Sequence, residues 1–390
     1  MTGADNPPPE HSPAHSPLPS SAPTAASTFA QPAAPLPDAV SSAAADGVGL
    51  ERYARQVRFA PLGEAGQRRL LSSRALVCGC GALGSVIANT LARAGVGRLR
   101  IVDRDFLELN NLQRQVLYDE ADVAAGLPKA VAAAEKLRRI NSTIEIEPVV
   151  ADIDATNIER LVRDVDVIVD GTDNFEIRFL LNDASLRFGI PWIYGGCLGA
   201  EGQTMTILPG ETACLRCLMR DVPPAGATDT CDTAGILGPI INVIASIEAC
   251  EALKILAGRR EATSRVLQVV DLWDNRVRQV RLDALRAAAA DCPACGRREF
   301  PWLDGHRGSQ SAVLCGRNSV QLSFPGREPA PLERLAEKLG AAGAVSRNRY
   351  LLRFQVEKFT FTLFADGRAI VGGTSDVAEA RSAYARYVGA

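Results

Sequence analysis

From Arg74 onward the chain alternates short apolar runs with longer amphipathic stretches. Ala75-Leu76-Val77-Cys78 and Leu99-Arg100-Ile101-Val102 have strand length, and Ser85 to Ala94 between them repeats apolar positions at helical spacing before Gly95 and Gly97 stop it. The order predicted is strand, glycine turn, helix, strand. Pro128 suits a first helical position and predicts a helix behind it. Ile144-Glu145-Ile146 reads as a strand and Val165-Asp166-Val167-Ile168-Val169 as a buried one. Unbroken apolar strands alternating with helices predict an α/β, Rossmann-like fold, with a mostly parallel sheet covered on both faces.

Pro191 to Tyr194 and Gln203 to Ile207 read as further strands. A Pro/Gly-rich crossing from Asp221 to Thr230 follows, then an apolar helix from Ile236 to Ala257. Glu248, Glu251 and Lys254 recur along that helix at helical spacing, which suits a packed helix and not a membrane span. After Cys295 the texture changes. Strand, helix, then Tyr350 to Val356, Phe359 to Phe364 and Arg368 to Val371, with Asp366-Gly367 as a hairpin turn, predict a small α+β appendage. The expected organisation is a Pro/Ala/Ser-rich tail over 1–47 without a core, a nucleotide-binding domain over 48–305 and a C-terminal domain over 313–390.

Charge narrows the partners. A net charge of -2 with no basic block disfavours nucleic acid. The first basic residue is Arg52, so neither a secretory leader nor an Arg-rich transit peptide fits, and a cytoplasmic protein is expected. Of three histidines, His11 and His15 fall in the tail. Histidine-dependent hydrolysis or hydride transfer is therefore disfavoured.

The first glycine turn, Gly79-Cys80-Gly81-Ala82-Leu83-Gly84, has the form that lets backbone approach a phosphate at a helix N-terminus. Asp103, nineteen positions past Gly84 at the end of the second strand, is placed to accept ribose hydroxyls. The turn alone does not separate NAD, FAD and ATP. Three later residues favour a nucleotide that is broken: Arg114 in Asn110-Asn111-Leu112-Gln113-Arg114-Gln115, Lys129 at a helix start, and Asp173 after a buried strand, where a magnesium-binding carboxylate belongs. Each has the alternative of a solvated surface charge. Attack by a carboxylate on the α-phosphorus of ATP needs positive charge and positioning, and no general base, because a C-terminal carboxylate is ionised at neutral pH.

Arg52-Tyr53-Ala54-Arg55-Gln56, the glycine turn, Asn110 to Gln115, Gly126-Leu127-Pro128-Lys129, Gly171-Thr172-Asp173-Asn174 and Thr230-Cys231-Asp232-Thr233-Ala234-Gly235 together resemble the sulfur-carrier adenylyltransferases of thiamine and molybdopterin synthesis, relatives of the ubiquitin-activating enzymes. The resemblance spans about 50–300. It implies that Asn111, Arg114 and Lys129 meet the ATP phosphates, that Asp173 holds Mg2+, and that Arg55 reaches into the partner subunit of a homodimer. The implied substrate is a ubiquitin-like sulfur carrier ending in Gly-Gly, with a cysteine desulfurase or similar sulfur donor. Thr233-Ala234-Gly235 and the C-terminal extension are similar to the thiamine-type enzymes; the molybdopterin type is the alternative. A nicotinamide-dependent oxidoreductase and a zinc-stabilised binding module with a vestigial nucleotide site are more remote ones.

Two Cys-x-x-Cys pairs, Cys214/Cys217 and Cys292/Cys295, supply four thiolates for a tetrahedral Zn2+ site, with a redox pair as the competing reading. Because 75 positions separate the pairs, they must meet through the fold, and the resemblance implies that their zinc pins the C-terminal part of the nucleotide-binding domain. Cys231, just before the long apolar helix, reads either as a nucleophile favoured by the helix dipole or as a buried apolar cysteine; the resemblance implies sulfur transfer. Cys78, Cys80, Cys197, Cys250 and Cys315 read as structural.

Overall fold

The computed structural model describes residues 49–222, 234–307, 311–314, 318–323, 331–365 and 367–389. The tail over 1–47, Cys231, Cys315 and Asp366 lie outside the described residues, and all that is described falls within one unit, 40–390. Strands are β1 Arg74–Cys78, β2 Arg98–Val102, β3 Glu145–Val149, β4 Val167–Asp170, β5 Trp192–Leu198, β6 Glu201–Ile207, β7 Val266–Asp271 and β8 Arg276–Arg281, then β9 Ser311–Leu314, β10 Ser319–Leu322, β11 Ala344–Arg347, β12 Leu351–Val356, β13 Phe359–Phe364 and β14 Ala369–Gly372. The longer helices are α1 Gly63–Ser72, α2 Ala82–Ala94, α3 Lys129–Ile140, α4 Phe175–Phe188, α5 Gly238–Leu256, α6 Leu332–Gly340 and α7 Val377–Tyr387.

Among the described residues the large sheet has the order β3-β2-β1-β4-β5-β6-β7-β8. It is parallel from β3 to β5 and antiparallel from β5 to β8. The chain winds outward from β1 through β2 to β3, then returns to place β4 on the other side of β1. The strand order therefore reverses between β1 and β4, and such a reversal opens a crevice at the carboxyl ends of the strands.

Alternation along the central strands divides the core into two layers. Ala75, Val77, Leu99, Ile101, Val167 and Val169 face the layer that holds α2, α3 and α5. Leu76, Cys78, Val102 and Ile168 face the other, with Phe179 of α4, Trp192 and Cys214. Both faces are covered, which is why these strands are largely apolar, and the buried charge on β2, Arg100, is paired with Glu147 and Asp164. The predicted α/β class and the small second sheet are both present. Among the described residues no helix is long and apolar enough to cross a membrane.

The C-terminal sheet is antiparallel, in the order β11-β12-β13-β14-β10-β9. Phe354, Phe361, Leu352 and Leu363 make its core with Leu332 and Leu339 of α6 and Ala380 and Ala383 of α7. Two boundaries shift from the sequence reading. Helix α2 starts at Ala82, because the first turn is the tail of the glycine loop. Helix α5 starts at Gly238, with Pro239 in its first turn, seven positions after Cys231.

Candidate active site

Chain reversal at β1 makes the glycine loop. The Gly79 N–H donates to Val102 O (2.7 Å), and the Gly171 N–H after β4 donates to Cys78 O (2.7 Å), so both neighbouring strands tether the loop. Gly84 sits where a Cβ would fall 1.9 Å from Gly79 O, and this is the close helix-to-strand approach that the third glycine permits.

Asp103 closes the loop from the β2 side. Its two carboxylate oxygens accept the Cys80 N–H and the Asp105 N–H, each at 2.6 Å. Desolvation by the surrounding protein pushes its pKa up against the pull of Lys129. Lys129, at the head of α3, is buried and its Nζ donates to Asp105 Oδ2 at 3.2 Å; its backbone N–H donates to Asp105 O at 2.9 Å. The Tyr118 hydroxyl donates to Cys80 O (2.7 Å) and lies 3.2 Å from Lys129 O, which ties the glycine loop to α3. Lys129 is thus held beside Asp103 before any ligand arrives.

Asn111 is buried on a turn of 3-10 helix, where its Oδ1 accepts the Glu108 N–H (3.1 Å) and its Nδ2 donates to Asn110 (2.9 Å). Arg114 is half-buried and its Nη1 donates to Asn110 O at 2.9 Å. The buried Gln115 amide nitrogen lies 3.8 Å from the position of a Cβ on Gly81, and its Oε1 has no hydrogen-bond partner. An orphaned buried acceptor at the mouth of a glycine loop fits a polar ligand there.

Asp173 is exposed at the carboxyl end of β4, held by a network that the sequence did not reveal. Asp170 is fully buried and accepts the Thr172 N–H and hydroxyl (2.9 and 2.7 Å). Arg178 of α4 donates to Asp170 (3.3 Å), Thr172 O (2.7 Å) and Gly195 O (2.9 Å), and lies over the rings of Phe175 and Tyr194. The loop that presents Asp173 is therefore rigid. Glu248 of α5 packs against Gly195, fully buried with neither oxygen hydrogen-bonded. Burial, with Asp170 nearby, raises its pKa well above the ordinary carboxylate value, which favours the protonated form. Arg104, also unmarked in the sequence, pairs with Asp152 (2.8 Å) and Asp105 (3.7 Å) and feels the field of Asp173.

The structure therefore brings the glycine loop, Asp103 and Lys129 into one bonded cluster, with Asn111 and Arg114 together on a neighbouring turn. Arg55 does not join them. It is exposed on the short helical segment Ala54–Val57, and among the described residues no hydrogen bond or ion pair links it to the crevice within one chain. Tyr118, Arg178 and Arg104 lack a motif. Only their neighbourhood, Asp170 before Asp173 and Asp105 after Asp103, hints at them.

The four cysteines meet on the opposite layer. Cys214 Sγ lies 3.8 Å from Cys217 and 3.7 Å from Cys292, Cys217 lies 3.4 Å from Cys295, and all four sulfurs fall within 4.8 Å of one another. A tetrahedron with metal–sulfur bonds of about 2.3 Å has edges of about 3.8 Å, so the donor set fits zinc. Hydrogen bonding from Cys214 pulls Cys292 down to about 6. By contrast burial pushes Cys80 up to about 12, which leaves it an inert thiol.

A model of the ThiF family matches residues 53–294. Over 339 residues the chain is 46% identical to the sulfur carrier protein ThiS adenylyltransferase of Bacillus subtilis (strain 168), covering 87% of this chain and 99% of that protein. It is 38% identical over 298 residues to the adenylyltransferase and sulfurtransferase MOCS3 of Sus scrofa, covering 75% of this chain and 63% of that protein. Among solved structures, E. coli MccB with ATP matches at a TM-score of 0.51 and 24% identity over 60% of this chain and 71% of that one, which is a likeness of fold.

Proposed function

Because the chain belongs to the ThiF family of adenylyltransferases, we propose that it adenylates the C-terminal Gly-Gly carboxylate of a ubiquitin-like sulfur carrier, in preparation for thiocarboxylate formation in thiazole synthesis for thiamine. The observation that carries this reading is the convergence of the glycine loop, Asp103 and Lys129 at the β1/β4 crevice. The nicotinamide alternative falls with the family assignment.

In this reading a carrier carboxylate oxygen attacks the α-phosphorus of ATP, the bond from that phosphorus to the bridging oxygen breaks, and pyrophosphate leaves. An acyl-adenylate remains. Asp103, already fixed by two backbone amides, has lone pairs left for the ribose hydroxyls. Lys129, Arg114 and Asn111 neutralise and orient the phosphates, which is where most of the acceleration of such a transfer arises. Lys129 exchanges part of its contact with Asp105 for phosphate oxygen, a short move for a side chain already in place. Asp173 is the carboxylate for Mg2+, whose chemistry is charge neutralisation on the phosphates. The four cysteines would hold a structural Zn2+ remote from the reacting atoms.

Arg55 completes the site from the partner subunit of a homodimer in this reading. Support comes from Phe59, Leu109 and Val116, large apolar side chains left 63%, 67% and 50% exposed in one chain near Arg55 and along the Asn110–Gln115 segment. In this reading the Cys231 thiolate takes the terminal sulfur from a persulfide donor of the cysteine desulfurase type, releasing the donor thiol. The Cys231 persulfide attacks the acyl carbon and AMP leaves. An external thiol then cleaves the resulting acyl disulfide at the Cys231 sulfur, which frees the carrier thiocarboxylate and leaves Cys231 in a disulfide that a second thiol reduces. A cytoplasmic location goes with that chemistry, because free thiols need a reducing compartment. The likeness to MOCS3 favours the molybdopterin-type carrier as the second reading.

ATP–pyrophosphate exchange by the zinc-loaded protein, tested with Gly-Gly carriers of both pathways, decides. Exchange with the thiamine carrier is expected. Exchange with only the molybdopterin carrier transfers the assignment to the second reading, and none with either overturns adenylation.

A further inference from the structure

The C-terminal sheet meets the large sheet at the loops that carry the nucleotide-facing groups. Phe364 at the end of β13 sets its ring 5.2 Å from that of Phe106, and Leu351 closes the same apolar cluster. Phe106 directly follows Asp105 and is bridged to Pro128, directly before Lys129. Asn348 donates from Nδ2 to Gly126 O at 3.1 Å, two residues earlier on that loop. Asp152, beyond β3, links the two sheets through charge. Its Oδ1 accepts from Arg104 Nη1, while its Oδ2 accepts from Gln321 Nε2 and lies 3.6 Å from Arg368 Nη1. Both C-terminal groups are buried, and the Arg368 guanidinium lies 4.6 Å above the Phe364 ring.

Arg104 stands among Asp105, Asp152 and Asp173. An arginine among several carboxylates takes up the geometry that the most firmly held one imposes. Asp152 is that one, because a buried arginine directly before β14 and a buried amide of β10 engage its second oxygen. We propose that Arg368 and Gln321 are positioning residues for the nucleotide. Through Asp152 they hold Arg104 over the crevice, and with Phe364 against Phe106 they hold the Asp105–Lys129 pair, so the C-terminal sheet sets the affinity for ATP. This rests on the adenylation reading above.

In the full-length, zinc-loaded protein, Arg368→Ala is expected to raise the KM for ATP about tenfold while kcat and the KM for the carrier stay within about twofold. Arg368→Lys, which keeps the charge facing Asp152, is expected to recover most of that loss. Should Arg368→Ala fail to fold, Gln321→Leu is expected to give the same selective rise. Hydrogen exchange of residues 103–106 and 126–129 should quicken in both variants. An unchanged KM for ATP in folded variants overturns the proposal. So does a rise for ATP and carrier alike with a lowered unfolding temperature that lysine does not correct. Calorimetric titration with ATP alone separates this from the parent reading: a wild type that binds ATP but exchanges no pyrophosphate refutes adenylation, whereas tenfold weaker ATP binding by Arg368→Ala still upholds the positioning role and equal binding refutes it.

Discussion

The nucleotide crevice and the cysteine cluster both gather residues that are distant in sequence, yet they are completed in opposite ways. At the crevice Asp103 with Asp105 and Lys129, and Asp170 with Arg178, are already held by hydrogen bonds between protein groups. At the cluster four sulfurs stand 3.4 to 3.8 Å from their neighbours, and only weak S–H donors link them. A preorganised polar site lends its order to a transition state. A thiolate cage lends its binding energy to folding, because the unfolded chain has no such cage. The crevice should therefore govern rate with little effect on stability, and the cluster the reverse.

The largest effect that would break this contrast is at the cluster. Cys214→Ser is expected to lower the unfolding temperature by roughly 10 °C or more, since structural zinc is worth on the order of 10 kcal/mol in small domains and part of that stability passes to the fold here. Calorimetry with and without a strong chelator checks it. The wild type should fall to the variant's value when stripped. A melting temperature indifferent to both chelator and substitution would make the cluster a set of packed thiols.

Next in size, Arg114→Ala and Asp173→Ala are each expected to lower carrier-dependent pyrophosphate exchange by about a hundredfold or more, the usual scale for removing one charge-stabilising group. Their unfolding temperatures should stay within about 2 °C of wild type, as substitutions away from a packed core do. Loss of activity accompanied by an equal loss of stability would erase the division between the two regions.

How far each region was legible follows from the same physics. The glycine turn, Asp103 and Lys129 were readable because backbone constraints fix their spacing: a phosphate-approaching turn tolerates only glycine, and an acid that meets it must end the next strand. The cysteine pairs were readable because two ligands on one tight turn need the short x-x spacing. Arg178, Arg104 and Tyr118 were not, because their partners come from other elements and no local rule links them, and neither was Glu248. Glu248 lies in an apolar helix whose charges read as a packed face. That reading was correct about packing but could not tell that one acid would be left without a partner. The link from Asp152 to Arg368 and Gln321 spans the two sheets and has no local signature.

Glu248 allows a smaller test at the edge of the crevice. Its folded pKa is raised above the unfolded value of about 4.3, so the folded state binds a proton that the unfolded state releases. Stability from this group is full below about pH 4.3 and is lost as pH rises toward the folded pKa, at up to about 1.4 kcal/mol per pH unit. Glu248→Gln removes the titration and keeps the shape. It should match wild type near pH 4 and become the more stable protein toward pH 8, in denaturant melts across that range. Parallel curves for the two proteins would mean that the acid is solvated or paired.

The smallest expected change is in exchange by Cys231→Ala. Adenylation forms a phosphorus–oxygen bond and expels pyrophosphate, and no step of it asks for a thiol. A relay cysteine acts only afterwards, when sulfur replaces AMP on the carrier. Cys231 lies outside the described residues, so its reactivity rests on this experiment. The variant should keep exchange within about twofold of wild type, a change under about 0.4 kcal/mol, while thiocarboxylate formation, followed by carrier mass, falls sharply. Retention of both would move sulfur transfer to direct attack by the donor persulfide on the adenylate. Loss of exchange in the folded, zinc-loaded protein would put Cys231 within the crevice itself, and the separation of the phosphate-handling groups from the sulfur-handling ones would have to be given up.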